Sequence, residues 1–319
     1  MWRRRRFLIA GAVVAGATAV CGVAWAGSSQ RRSARMLRQF YRDARRAVLP
    51  PPVTPQPEQW PANGITACWL GHATVLIRFY GLNILTDPVF SNRVGVDIGL
   101  GTAGPKRYIA PALTFKQLPP IDVVVLSHAH MDHMDLPSLK CFPPSTFGVT
   151  ARATQDVLAS TPFRQARELG WGEAVTFRGA KGDLRIEAFE VKHWGARWPS
   201  DVPRGYNGYI LSREGRSILF GGDTAFTPLF AGLRSRGPFA LAIMPIAAYN
   251  PWIRNHCTPE QAVAMADMAG VGPILPVHHR TFRLSEEPMD EPIARLETAL
   301  HAERERLMVR QVGESYRVA

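Results

Sequence analysis

Residues 121–127 form an unbroken run rich in β-branched side chains, and four groups of metal-ligand type follow within six residues, in the segment His128-Ala129-His130-Met131-Asp132-His133. Such a run is the pattern of a strand covered on both faces, so the chain must place other layers above and below it. A turn at the end of that strand points His128, His130, Asp132 and His133 into one concave site. Imidazole and carboxylate are suitable ligands there for zinc-like ions. As a bare surface turn the segment gains nothing, because imidazoles packed this closely repel once protonated. The segment therefore predicts a metal site.

The rest of the chain supplies the layers. β-Rich runs punctuated by turns predict strands over 65–69, 75–79, 83–86, 147–150, 185–191, 208–212, 217–220, 241–245 and 274–277. Helices are predicted over 136–140, 154–160, 227–232, 259–269 and 292–306. Antiparallel strands first, then strands alternating with helices, imply layered sheets flanked by helices. Further ligand-type residues fall where the strands end. His193 closes the run 186–192, Asp223 follows 218–222 and His278 follows 274–277. Gly221-Gly222 permits the close approach and unusual turn that aim Asp223.

A net charge of +12 raises the question of a nucleic-acid partner, and the distribution of that charge answers it. Residues 1–50 hold eleven arginines against one acid, Asp43, for +10, which leaves +2 for all the rest. A nearly neutral body has no basic face, and no nucleic acid is expected. Residues 1–26 read as an export signal or membrane anchor: Arg3 to Arg6, an apolar run, then the small-x-small triplet Ala24-Trp25-Ala26. Arg4-Arg5-Arg6-Phe7-Leu8 is similar to the twin-arginine export signal of bacteria. The expected location is thus outside the cytoplasm, either periplasmic or anchored to the inner membrane. Residues 27–63 combine a basic amphipathic helix over 33–48 with a proline-rich linker. Such a helix either lies on an anionic membrane surface or packs on the body. Cys68, Cys141 and Cys257 are too widely spaced to imply a disulfide framework, and one bridge among them is left open.

The order H-x-H-x-D-H, a lone His, a Gly-Asp pair and a late His resembles the metallo-β-lactamase superfamily over about residues 64–313. The resemblance implies an α/β fold, an αββα sandwich with its metal site at the sheet edges, and a hydrolase domain over 64–319. Narrower motifs are Trp69-Leu70-Gly71-His72-Ala73-Thr74-Val75, Leu85-Thr86-Asp87-Pro88-Val89-Phe90-Ser91, Gly222-Asp223-Thr224-Ala225 and His278-His279-Arg280-Thr281-Phe282. They look like the branch that contains N-acylphosphatidylethanolamine-hydrolysing phospholipase D and related lactonases. Carried over by position, the pattern implies His128, His130 and His193 on one metal, Asp132, His133 and His278 on a second, and Asp223 on both. The implied cofactors are two divalent ions, zinc first, that share a water held as hydroxide.

The implied reaction is hydrolysis of a phosphodiester in an N-acylphosphatidylethanolamine-like phospholipid at a membrane surface, with Asp132 orienting the hydroxide or relaying its proton. A lactonase or other carboxylic ester hydrolase is the alternative within the family. A membrane-tethered metal-binding protein without activity is the alternative outside it. His278 fits the family pattern better than its neighbour His279, while His279 and Arg280 depart from the phospholipase and add positive charge near a phosphate. His72 and Asp87 are expected to hydrogen-bond to ligands, and His256 resembles a substrate contact. Asp135 is expected to cap the helix after it, and His301 to be solvated. Trp194, Trp198, Phe226, Tyr249, Trp252 and Phe282 fall beside these positions. Core packing is the expectation for any one of them, and a groove for acyl chains is the alternative.

Overall fold

The computed structural model describes residue 43 and residues 45–318, apart from 100, 164, 165 and 199. The export-signal reading falls outside the described residues, as does nearly all of the helix expected over 33–48. Strands β1 (Ile65–Gly71), β2 (Thr74–Phe79) and β3 (Leu82–Thr86) form an antiparallel meander. After a small hairpin of β4 (Val96–Asp97) and β5 (Thr102–Ala103), β6 (Val123–Val125) joins β3 in parallel. The short helix α1 (Leu136–Leu139) leads to β7 (Phe147–Ala151), and α2 (Gln155–Leu158) leads to β8 (Arg167–Leu169), each strand parallel to the one before.

The second sheet begins with the antiparallel strands β9 (Ala174–Gly179), β10 (Gly182–Phe189), β11 (Gly208–Arg213) and β12 (Arg216–Phe220). It continues in parallel through β13 (Phe239–Pro245) and, after α3 (Pro259–Ala269), β14 (Ile274–Val277). Helix α4 (Glu291–Ala299) follows, and β15 (Ser315–Val318) returns to the first sheet beside β1. The sheet orders are β15-β1-β2-β3-β6-β7-β8 and β14-β13-β12-β11-β10-β9.

Alternation along the strands builds the layers. Ile218, Phe220, Leu241 and Ile243 share one core with Val75, Ile77, Ile84 and Val124 of the first sheet. Their neighbours Leu219, Ala242 and Met244 pack instead with Met265 and Ala266 of α3 and with Ile293 and Leu296 of α4. Strand β13 is buried along its whole length for this reason, and large side chains such as Leu241, Ile243 and Met244 contribute roughly 1.5–3 kcal/mol each. Helix α3 is written locally as well: Thr258 and Gln261 form a reciprocal capping box ahead of Pro259 at the first turn. The result is the expected αββα sandwich.

Several boundaries differ from expectation. The run 121–127 pairs as a strand only over Val123–Val125, because beyond it the chain turns to present ligands. Residues 227–232 belong to a 3-10 helix, Pro228–Arg236, rather than an α-helix. The helix over 292–306 stops at Ala299, and the chain then turns so that Met308 N donates to Ile274 O beside β14. The helix over 154–160 is cut to Gln155–Leu158. Strands β4, β5, β8, β9 and β15 were not expected; β8, β9 and β15 are sheet edges whose half-exposed residues lack an apolar run. Among the described residues no helix is long and apolar enough to cross a membrane.

Candidate metal centre

The ligand turn hangs from Asp87 at the end of β3. The buried Asp87 carboxylate accepts from Ser127 N at 2.7 Å, from the Ser127 hydroxyl at 2.6 Å and from His133 Nδ1 at 2.7 Å. A carboxylate cannot donate, so His133 carries a hydrogen on Nδ1 and presents Nε2 to the site. The Ser127 oxygen, having given its hydrogen to Asp87, accepts from His128 Nδ1 at 2.9 Å, which leaves His128 Nε2 free to bind. On the other sheet, His193 Nδ1 donates to Asn255 O at 2.8 Å, so its Nε2 faces inward too.

These atoms converge in two groups. His128 Nε2 lies 2.8 Å and His193 Nε2 3.3 Å from His130 Nδ1. Beside them, Asp223 Oδ2 lies 3.1 Å from both His133 Nε2 and His278 Nε2, and Asp132 Oδ2 lies 3.5 Å from the same two nitrogens. Such spacings suit a tetrahedral ion, whose ligand atoms stand ~3.3 Å apart when its bonds are about 2.0 Å. Asp223 also comes within 3.9 Å of His193, so it reaches both groups. Gly222 makes that placement feasible: with φ +56, any Cβ there would lie 2.7 Å from Asn207 O and 2.9 Å from Ser127 Cβ.

Buried polar atoms without a partner are concentrated here. His130 Nε2, His133 Nε2, Asp223 Oδ1, His256 Nδ1 and both ring nitrogens of His278 make no hydrogen bond within the protein. Each such atom costs about 1–3 kcal/mol unless a ligand or ion satisfies it. Nitrogen and carboxylate donors crowded in this way fit divalent metal ions.

Burial, helped by neighbouring imidazoles, pushes His128 well below the usual imidazole range and His130 down to about 3. Burial also lowers His193, with Asp223 opposing. For His278 burial acts in the same direction, but Asp223 and Asp132 outweigh it and raise the pKa to about 9. His133 is likewise raised well above the usual range by Asp223, Asp132 and Asp87 against burial. Burial disfavours ionisation of Asp132 and Asp223, yet the facing imidazoles hold both carboxyls well below the usual carboxylate range.

The structure brings the other expected residues to this place. His72, with φ +54, sets its Nε2 2.9 Å from Asp132 Oδ2, and burial drives its pKa to about 3. His256 Nδ1 stands 3.8 Å from Asp223, with its ring 5.0 Å from that of His193. His279 is turned away, stacked on Trp69 at 4.3 Å and outside the two groups. Arg280 pairs with Asp290 at the surface rather than facing the site. Asp135 stands at the N-cap of α1, where its carboxylate binds the Ser91 and Ser138 hydroxyls. His301 is exposed. Cys68 and Cys257 are buried free thiols and Cys141 is an exposed one, so no bridge forms among them.

Tyr249 and Phe282 are buried, as packing predicts, but Trp194, Trp198, Phe226 and Trp252 are exposed. With Val202, Leu229 and Ile253 they occupy the three segments that carry His193, follow Asp223 and precede His256. Hydrogen bonds from Ala225 N to Lys192 O and from His193 Nδ1 to Asn255 O hold those segments together. Of these side chains, Trp194 stands against the centre, its ring 4.3 Å from that of His130. Three contributors were not singled out as site residues from the sequence: the Ser127 hydroxyl, the Asn255 carbonyl and the Thr281 hydroxyl that accepts from His72 N at 2.7 Å. Each acts through an ordinary group whose importance lies only in its neighbours.

A family model described as a beta-lactamase superfamily domain matches residues 82–279. An N-acyl-phosphatidylethanolamine-hydrolyzing phospholipase D of Caenorhabditis elegans is 32% identical over 250 residues, which is 72% of this chain and 69% of that protein. An uncharacterised protein of Mycobacterium tuberculosis is 31% identical over 275 residues, 82% of this chain and 71% of that protein. A solved metallo hydrolase of the archaeon Ignicoccus hospitalis shares the fold, with a TM-score of 0.58 at 19% identity over 80% of this chain and 98% of that one.

Proposed function

This chain belongs to the metallo-β-lactamase superfamily as a metal-dependent hydrolase, and from that premise we propose that it is a dimetal phosphodiesterase of the phospholipase D type, acting on N-acylphosphatidylethanolamine-like phospholipids. The observation that carries this reading is the convergence of seven ligand-type side chains from the ends of β6, β10, β12 and β14, with exposed apolar side chains on the adjoining segments as the rim of the proposed site. The likeness to a phospholipase D over most of the chain supports the substrate class.

Two divalent ions, zinc first, suit the donor set. His128, His130 and His193 would hold one, Asp132, His133 and His278 the other, and Asp223 both. When bound, such ions supply a nucleophile at neutral pH, since they lower the pKa of water to about 7, and they neutralise charge on a reacting phosphate. Asp132, ionised and with its side chain 16% exposed, would orient the attacking water and accept its proton. His256 is kept neutral by burial, and its unpartnered Nδ1 is a donor for a phosphate oxygen. Trp194, Trp198 and Trp252 suit the interface where acyl chains meet headgroups. The arginine-rich N-terminal stretch supports a membrane contact and an exported hydrolase domain, periplasmic or held at the inner membrane.

Metal-loaded protein presented with N-acylphosphatidylethanolamine vesicles and, separately, with acyl lactones tests the assignment. Release of phosphatidic acid should exceed lactone turnover by at least about tenfold. Lactone opening without phosphodiester cleavage would sink it in favour of the lactonase.

A further inference from the structure

The turn that carries His130, Asp132 and His133 has few bonds of its own: His133 N and Met134 N both donate to His130 O. Its two shoulders are instead gripped from outside. Arg197 Nη1 donates to Ala129 O at 2.7 Å and to Met134 O at 3.1 Å, so one nitrogen spans the turn. Arg197 lies four residues after His193, and its own segment is staked down. Its backbone N donates to Asp201 Oδ2 at 2.9 Å, and Arg204 Nε donates to the same oxygen at 2.6 Å. Arg204 also reaches Asp156 Oδ2 at 2.8 Å. Gly195 lets this segment fold tightly, since a Cβ there would lie 2.3 Å from Arg204 O.

We propose that Arg197 is a positioning residue, which locks the ligand turn of the first sheet to the His193 segment of the second and so sets the affinity of the centre for its metal ions. The proposal rests on the metal reading above. A charged guanidinium on two carbonyls is a strong and directional tie, and Lys is a poor substitute because its ammonium falls one bond short of the position of Nη1. The candidate ligands come from both sheets, so the relative position of turn and segment would determine how well they reach bound ions together. Groups that orient ligands without touching the ion typically govern 10- to 100-fold in affinity.

The test uses the full chain with cobalt as the metal. Arg197→Met keeps the apolar stem and removes the donors. It should retain the fold by circular dichroism, bind cobalt about 10- to 100-fold more weakly and shift the ligand-field absorption bands; Arg197→Lys should fall between it and the wild type. Arg197→Met with wild-type affinity and an unchanged spectrum overturns the proposal. If Arg197→Met does not fold, Arg197→Lys decides: intermediate affinity with a shifted spectrum upholds it, and wild-type values for both overturn it. A wild-type protein that takes up no cobalt or zinc would refute the metal reading itself, a result distinct from either.

Discussion

The two halves of the centre are prepared for a cation in different ways. His128, His130 and His193 form an all-imidazole pocket, where burial and mutual repulsion favour the neutral ligands. His133 and His278 face Asp132, Asp223 and, for His133, Asp87, and there the carboxylates overcome burial and hold protons on the rings. The same residue type is thus stripped of its proton in one half and made to keep it in the other. A metal ion bound in the second half would have to compete with protons on its imidazoles, whereas one in the first half would not.

Asp223→Ala should break the comparison most severely, because Asp223 touches the second half at 3.1 Å and approaches the first at 3.9 Å. Hydrolysis should fall by at least about 10³-fold, and elemental analysis should find fewer than two metal equivalents. Two tightly retained metals with full activity would show that the halves are independent.

Proton competition gives the next largest effect. Since His278 titrates at about 9, above its ordinary value of 6.5, metal uptake by the second half should strengthen as pH rises from 6.5 to 9 and then level. The gain is about tenfold per unit for each proton released. Uptake by the first half should be flat over the same window, and calorimetry in buffers of different ionisation enthalpy would count the protons. The sign for the metal-free fold is opposite: stabilisation from the His278 proton is full below 6.5 and is lost as pH rises through about 9.

Asp87→Ala removes the partner of His133 Nδ1 and should weaken metal binding in the second half by about 10- to 100-fold while sparing the all-imidazole half. Equal loss in both halves would mean that Asp87 acts on the whole turn through Ser127 N rather than on one ring. The smallest effect belongs to the rim. Trp252→Ser with Ile253→Ser should raise KM on phospholipid vesicles by about 3- to 10-fold, more than on a short soluble phosphodiester. Equal changes on both would remove the rim from lipid contact.

Much of this arrangement could be read along the chain because ligand-type residues sit directly after strand-like apolar runs. His128, His193, Asp223 and His278 each stand just past a segment whose pattern marks it as buried, so the sandwich and the candidate ligands were legible together. The edge strands were not. Strand β9 alternates between half-buried and exposed positions, and β15 does the same against β1, so neither shows a fully apolar run. Strand β15 owes its state to pairing with β1 at the far end of the chain, which no local pattern encodes, while β9 pairs with the next strand, β10.

Residue order therefore settles which groups are available, since apolar period and ligand spacing are local properties of the chain. Only the packed sheets decide what each group does. The proton on His133 depends on Asp87, 46 residues away, and the setting of the ligand turn depends on Arg197, 68 residues from Ala129. Tautomer, charge and reach are set by distances between strand ends, and those distances exist only once two sheets have closed on a common core.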